Sequence, residues 1–280
     1  MKDKPKIVFT DLDGTLLNSS SQLSPRNRDM LYQLGEQNIL RVVATGRSLF
    51  SARRVLTMDF PIDYLVFSTG AGIIDWKKQH ILYKKNLTHN EVKECADYFL
   101  SRNHNFMLHQ EVPDTHYFHY HKGNGAPEDF QMRMDIYHGY WTEFDVEFHS
   151  NIRATQFLSM FPNNEFDAVY KEFLAEKPNL SVIKTSSPLT KNSVWLEVFA
   201  EGVNKGNTAN KLIELLDLKR ADVMAVGNDY NDRDILKSFN NSYVVANAPK
   251  ELRNEFKTVA SNDDNGFSEA VEDWLKLTGI

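Results

Sequence analysis

The chain predicts an α/β fold, a doubly wound parallel sheet interrupted by an inserted α+β segment. Three observations carry this. Short apolar runs alternate with helical patterns over the first part of the chain, and the same alternation returns in the last part. Between them, the middle reads as antiparallel strands with crossing helices.

Lys6–Thr10 is a short apolar strand. Ser24 as N-cap and Pro25 at the first helical position open a helix running to about Asn38. Ile39–Ala44 is a second buried strand, Leu49–Met58 a second helix and Tyr64–Phe67 a third strand. Further on, Ile73–Trp76 and Ile81–Tyr83 flank polar Lys77, Lys78 and Gln79, as the arms of a hairpin do. A helix from about Asn90 to Arg102 follows, then aromatic-rich strands near Phe106–Gln110 and His116–Tyr120. Helical and strand pieces continue through Ser150–Phe161, Phe166–Glu176 and Leu180–Lys184. In the last part, Asn204–Leu216 reads as helix, Val223–Val226 as buried strand and Asp232–Phe239 as helix. Tyr243–Val245 is a strand, Pro249–Glu255 a short helix and Gly266–Leu277 a terminal helix. Residues 1–84 and 190–280 are therefore expected to build one domain, with 85–189 inserted as a second.

Composition sets bounds on function. At 280 residues, with 41% hydrophobic and 25% charged, the chain has the make-up of an ordinary globular protein of one or two domains. A net charge of -6 argues against a nucleic-acid partner, and the basic residues are interleaved with acids. The one cysteine, Cys95, excludes an intrachain disulfide and a cysteine-based metal site. No segment approaches the roughly 20 apolar residues of a membrane span, and the N-terminal residues lack a secretory pattern, so no membrane partner and a cytoplasmic location are the default expectations.

Four motifs fall where strands give way to loops, the edge at which open α/β sheets place their ligands. In FTDLDGTLL, Asp11 and Asp13 follow the first strand one residue apart. Two like charges about 5 Å apart repel by roughly 3 kcal/mol at an effective dielectric near 20. A hard cation such as magnesium relieves that cost, because oxygen-only sites suit it. A carboxylate there can also attack phosphorus while its neighbour shuttles a proton. In ATGR, the Thr45 hydroxyl and the Gly46 backbone N–H precede a helix, as in a phosphate cradle, with Arg47 beside them. In NKG, Asn204 serves as an N-cap, but Lys205 in the first helical turn opposes the helix dipole; a cation aimed at an anion explains it, as does a plain surface lysine. In GNDYND, Asn228, Asp229, Asn231 and Asp232 gather after the strand Val223–Val226.

Together the four motifs resemble those of the haloacid dehalogenase-like hydrolases, in order along the whole chain. The nearest likeness is the Cof-type sugar-phosphatase branch with its α/β (type IIB) cap. The resemblance implies a Rossmann-like core, a magnesium ion and hydrolysis of phosphomonoesters of small metabolites through an aspartyl-phosphate, in a monomer or homodimer. It makes Asp11 the nucleophile and Asp13 the general acid, then base. Thr45, Gly46 and Lys205 would bind the phosphoryl oxygens. The metal would be met by Asp11, the Asp13 carbonyl and the fourth motif (Asn228, Asp229, Asp232), with Arg47 and Asn231 in support.

Two positions depart from the family pattern. Most relatives carry Asp where Asn228 stands, so either Asn228 ligates through its amide oxygen or Asp229 takes over. Thr69 replaces the Asn of an Asn-Gly-Ala sequence after the third strand, and no role is assigned to it. Seven of nine histidines lie between His104 and His149, with His116, His119 and His121 close together, so a zinc site is one reading of the insertion and an aromatic, polar strand the other. Phe106, Trp141, Phe144 and Trp195 are expected in its core. The alternatives to a phosphatase are a phosphotransferase or mutase of the same fold, a receiver-type phosphoacceptor domain, and a phospho-ligand-binding protein without turnover, which Asn228 favours and the intact remaining motif residues oppose.

Overall fold

The computed structural model describes residues 6–145, 152–190 and 192–278. The chain divides into two compact units, one of residues up to 47, 51–83 and from 204 onward, the other of 48–50 and 84–203. Strands and helices are numbered below in chain order.

The first unit is built on β1 (Ile7–Thr10), β2 (Leu40–Ala44), β3 (Tyr64–Phe67), β4 (Gly72–Asp75) and β5 (His80–Lys84), joined by β12 (Val223–Gly227), β13 (Asn241–Val245) and β14 (Lys257–Val259). The sheet order is β14-β13-β12-β1-β2-β3-β4-β5. From β14 to β3 every pair is parallel, and β3–β4 is antiparallel. In β1 at the centre, Phe9 lies between Ala225 and Val42. Ile7, Val8 and Phe9 are at most 1% exposed, because a parallel strand is covered on both faces and reads as a continuous apolar run. One packed cluster joins Phe9, Val42 and Val66 of the sheet to Leu212 and Ile213 of α6 (Lys205–Leu215) and Ile235 and Leu236 of α7 (Arg233–Ser238).

Local signals act as the sequence indicates at several ends. Ser24 caps α1 (Pro25–Glu36) by accepting from the Asn27 N–H at 3.1 Å, and Asn204 caps α6 by accepting from Asn207 at 2.7 Å. The second helix is shorter than expected: α2 spans Leu49–Ala52 rather than reaching Met58. After it the chain closes in turns, Arg54 donating to the Ser51 carbonyl and Val55 to Ala52, which bring Leu56 into the core. β14, with two of its three residues exposed, is too short for its alternation to show in sequence.

The second unit holds a sheet of order β10-β11-β9-β6-β7-β8, made of β6 (Phe106–Gln110), β7 (Phe118–His121), β8 (Trp141–Glu143), β9 (Ala154–Pro162), β10 (Ser181–Ser186) and β11 (Ser193–Phe199). Its pairs are antiparallel except β7–β8. Helices α3 (His89–Ser101), α4 (Glu128–Ile136) and α5 (Asn163–Glu176) complete it. The exit of the insertion lies beyond the expected 190, because β11 pairs along its length with β9 and β10, and the unit runs to Val203. The sequence reading did not include α4, whose apolar residues mark no clear helical face.

Phe106 and Trp195 are buried, and Phe144 meets Phe106 edge-on at 5.0 Å. Trp141 is half-buried and donates its indole N–H to the Met134 carbonyl. The zinc reading finds no support: His119 Nδ1 lies 2.8 Å from the Thr142 hydroxyl and His121 Nε2 3.2 Å from the Asn103 amide oxygen. Among the described residues no three His, Cys, Asp or Glu side chains are grouped to hold a metal ion. His149, Ser150 and Asn151 lie outside the described residues. Among the described residues no helix is long and apolar enough to cross a membrane.

Candidate active site

β1 ends at Thr10, and the Asp11 N–H still donates to the Val226 carbonyl at 3.0 Å, which fixes Asp11 at the sheet edge between β1 and β12. The strand does not continue through Asp13. The chain turns instead at Gly14, where φ is +73°, a region that favours glycine. Asp11 and Asp13 therefore acquire separate cations rather than sharing one face.

Lys205 is fully buried in the first turn of α6, and its ammonium donates to Asp11 Oδ1 at 2.7 Å and to Asp232 Oδ1 at 2.6 Å. A buried ammonium bonded to two carboxylates is not an ordinary surface lysine. Burial opposes its charge, but the two carboxylates outweigh that and hold its pKa above the usual lysine value. Burial raises the Asp11 carboxyl to about 7; Asp232 and Asp13 push the same way and Lys205 pulls it down. Asp13 is paired differently: Arg47 grips it with two bonds, Nε to Oδ2 and Nη2 to Oδ1, both 2.6 Å, with side chains 44% and 25% exposed.

The fourth motif follows β12. Asp232 is 1% exposed, and its Oδ2 accepts from the backbone N–H groups of Asn228 and Asp229 at 2.9 and 3.0 Å. Gly227 permits this, since a Cβ there would stand 2.6 Å from the Asp232 side chain. With both oxygens engaged, Asp232 braces the loop and Lys205. The Asp232 N–H in turn donates to the Asp229 backbone carbonyl at 2.9 Å. It is the Asn228 amide that faces the cluster. Its inner atom lies 3.1 Å from Asp11 Oδ2, 3.2 Å from Thr15 Oγ1 and 3.3 Å from the Asp13 carbonyl oxygen. Turned with its oxygen inward, the Asn228 amide would join the Asp11 carboxylate and the Asp13 carbonyl in an all-oxygen set of the kind magnesium takes, with one or two protein carboxylates plus water and substrate.

The loop after β2 joins from the other side. Thr45 is buried, and its hydroxyl oxygen accepts from the Arg47 N–H at 3.1 Å. A Cβ on Gly46 would meet Thr69 Oγ1 at 3.5 Å and Asn231 Nδ2 at 3.6 Å, so Asn231 closes the gap between the loops after β12 and β2. Thr69 was given no role, yet it sits against Gly46 with its N–H on the Thr45 carbonyl and φ of +56°. Its place directly after a buried strand was the available signal. Asn247 and Asn262 were also missed. Asn247 donates to the Gly14 carbonyl at 2.9 Å and Asn262 to the Leu17 carbonyl at 3.0 Å, bracing the first motif from the loops after β13 and β14.

The profile of the haloacid dehalogenase-like hydrolases matches residues 8–271. A 5-amino-6-(5-phospho-D-ribitylamino)uracil phosphatase of Bacillus subtilis is 24% identical, over 96% of this chain and 98% of its own. An HMP-PP phosphatase of Serratia proteamaculans is 24% identical, over 97% of this chain and 96% of its own. Among solved structures, the HAD subclass IIB sugar phosphatase BT4131 superposes with a TM-score of 0.76 at 19% identity, covering 96% of this chain and 98% of that one. A match over nearly the whole sequence, on a sheet that carries the four motifs at one edge, makes this chain a member of the haloacid dehalogenase-like hydrolases.

Proposed function

We propose that the protein is a magnesium-dependent phosphatase of small phosphorylated metabolites, acting through an aspartyl-phosphate on Asp11. The observation that carries this reading is the buried Asp11–Lys205–Asp232 chain beside the oxygen set of Asp11, the Asp13 carbonyl and Asn228. The relatives support the substrate class, since their names specify phosphate esters of small molecules.

In the first step the Asp11 carboxylate attacks phosphorus in line, forming an acyl phosphate as the bond to the leaving oxygen breaks. The Asp13 carboxyl group gives its proton to that leaving oxygen. In the second step Asp13, now ionised, takes a proton from water as the water oxygen attacks phosphorus. Asp11 is released with inorganic phosphate. Lys205, the Thr45 hydroxyl and the Gly46 N–H supply fixed donors for the phosphoryl oxygens. Asp11, the Asp13 carbonyl and Asn228 would hold a magnesium ion, which when bound would supply positive charge against the transferring group. Arg47 orients Asp13 before it acts.

The test is release of phosphate from p-nitrophenyl phosphate, with magnesium and then with excess chelator. Turnover that needs magnesium and is lost in Asp11→Asn is the expected result. Folded protein with no turnover at any magnesium concentration would turn the reading to phospho-ligand binding.

A further inference from the structure

The Asn228 amide faces two groups that can only accept, Asp11 Oδ2 at 3.1 Å and the Asp13 carbonyl at 3.3 Å, with the Thr15 hydroxyl at 3.2 Å. An amide turned with its oxygen toward them sets a third acceptor against two, with the Thr15 hydroxyl to donate to it, and is favoured by a cation between the oxygens. Turned with its nitrogen inward, the same amide donates to them. The two orientations have nearly the same shape and differ by rotation about one side-chain bond.

The surroundings hold everything else still. The Asn228 backbone N–H is bonded to Asp232 Oδ2 at 2.9 Å, Asp11 is 8% exposed and Thr15 is fully buried. Only the amide plane is left to turn. An aspartate at this position has no proton to donate when ionised and adds a negative charge beside Asp11 and Asp232, both already engaged with the single ammonium of Lys205.

We infer that Asn228 is a two-way occupant of the cation position, its amide nitrogen bonding Asp11, Asp13 and Thr15 when no cation is held, and its oxygen turning inward when magnesium binds. This rests on the phosphatase reading, which supplies the cation. Magnesium then competes with hydrogen bonds already made. The protein holds it more weakly than an aspartate at 228 would, and in exchange the cation-free form carries no uncompensated third carboxylate. Position 228 is only partly buried, and the cost of a third carboxylate there is its short-range repulsion with buried Asp11 and Asp232.

The experiment uses the full chain and magnesium chloride alone, without substrate. Selective ¹⁵N labelling of asparagine gives side-chain NH₂ signals, and the pair missing in Asn228→Asp belongs to Asn228. That pair is expected to shift saturably as magnesium is added to the wild-type protein. By calorimetry, Asn228→Asp should bind magnesium about tenfold tighter or more, from the added ligand charge. In chelator it should melt at a lower temperature than wild type, and the order should reverse at saturating magnesium. Asn228 signals that stay still at saturating magnesium overturn the inference, as does an Asn228→Asp protein with wild-type affinity. If these failures accompany magnesium-dependent hydrolysis of p-nitrophenyl phosphate, the phosphatase reading stands and only the amide switch falls. If neither protein binds magnesium, both fall.

Discussion

Asp11 and Asp13 differ by two positions in sequence and by almost everything else in their surroundings. Asp11 is walled in, bonded to a fully buried lysine, and braced through that lysine to a second buried carboxylate. Asp13 is half exposed, and its cation, Arg47, is also partly in solvent. The contrast fits the two chemical jobs proposed for them. A nucleophile benefits from a fixed position, since misplacement of the attacking atom is costly. A proton carrier must meet first a leaving group and then water, and an exposed pair that solvent can screen is easily broken.

The contrast can be broken by substitution. Asp11→Asn should show the largest effect, a fall of about 10⁴-fold in phosphate release with the fold retained, because the covalent step is lost. Next comes stability: Lys205→Met leaves Asp11 and Asp232 buried without their cation and should cost about 3–5 kcal/mol in urea denaturation. Asp13→Asn removes proton transfer alone and should slow turnover by about 10²–10⁴-fold while leaving the melting temperature near wild type.

A smaller effect belongs to the second unit, where His109 is 2% exposed. Burial, with Arg133 and His116 nearby, lowers its pKa to about 3, and its Nδ1 lies 2.7 Å from the Thr115 carbonyl. The unfolded chain takes up this proton near pH 6.5 and the folded chain does not, so stability is full above that value and falls as pH drops toward 3. The raised Asp11 carboxyl contributes with the opposite sign over the same range, so the His109 effect is read as the difference between wild type and His109→Gln. Between pH 7.5 and 5 the unfolding free energy of wild type should fall relative to His109→Gln, by at most about 1.4 kcal/mol per pH unit. His104 and His121, also lowered by burial, contribute with the same sign as His109. Smallest of all, Arg47→Met should cost under about 1 kcal/mol of stability, since its ion pair is solvent-exposed. Equal losses in Lys205→Met and Arg47→Met would erase the distinction between the two aspartates.

Much of the first unit was legible because buried parallel strands are short unbroken apolar runs, and Tyr64–Phe67 shows this at its clearest. The second unit was harder. α4 carries no clear apolar stripe, and β11 lies past the border expected at 190, its place in the second unit showing only in its pairing with β9. At the site, spacing pointed to Asp11 and Asp13, and the family resemblance gave Lys205 a role that the dipole argument alone left open between an anion partner and a surface lysine. Sequence did not separate Asn228 from Asp229, because adjacent polar residues in a loop differ only in which way each side chain turns. Nor does sequence show that Asp232 braces both Lys205 and the loop after β12, since a carboxylate that positions a loop and one that meets a metal look alike as letters. Thr69, Asn247 and Asn262 come from loops distant in sequence, and their neighbours appear only when the sheet edge is assembled.

The central claim is that Asp11 carries the phosphoryl group. Protein quenched during turnover of p-nitrophenyl phosphate and reduced with borohydride converts an aspartyl-phosphate to homoserine, which peptide mass spectrometry can place. The account predicts homoserine at position 11, and none in Asp11→Asn. Homoserine at position 13, or continued turnover with every aspartate intact, would contradict it.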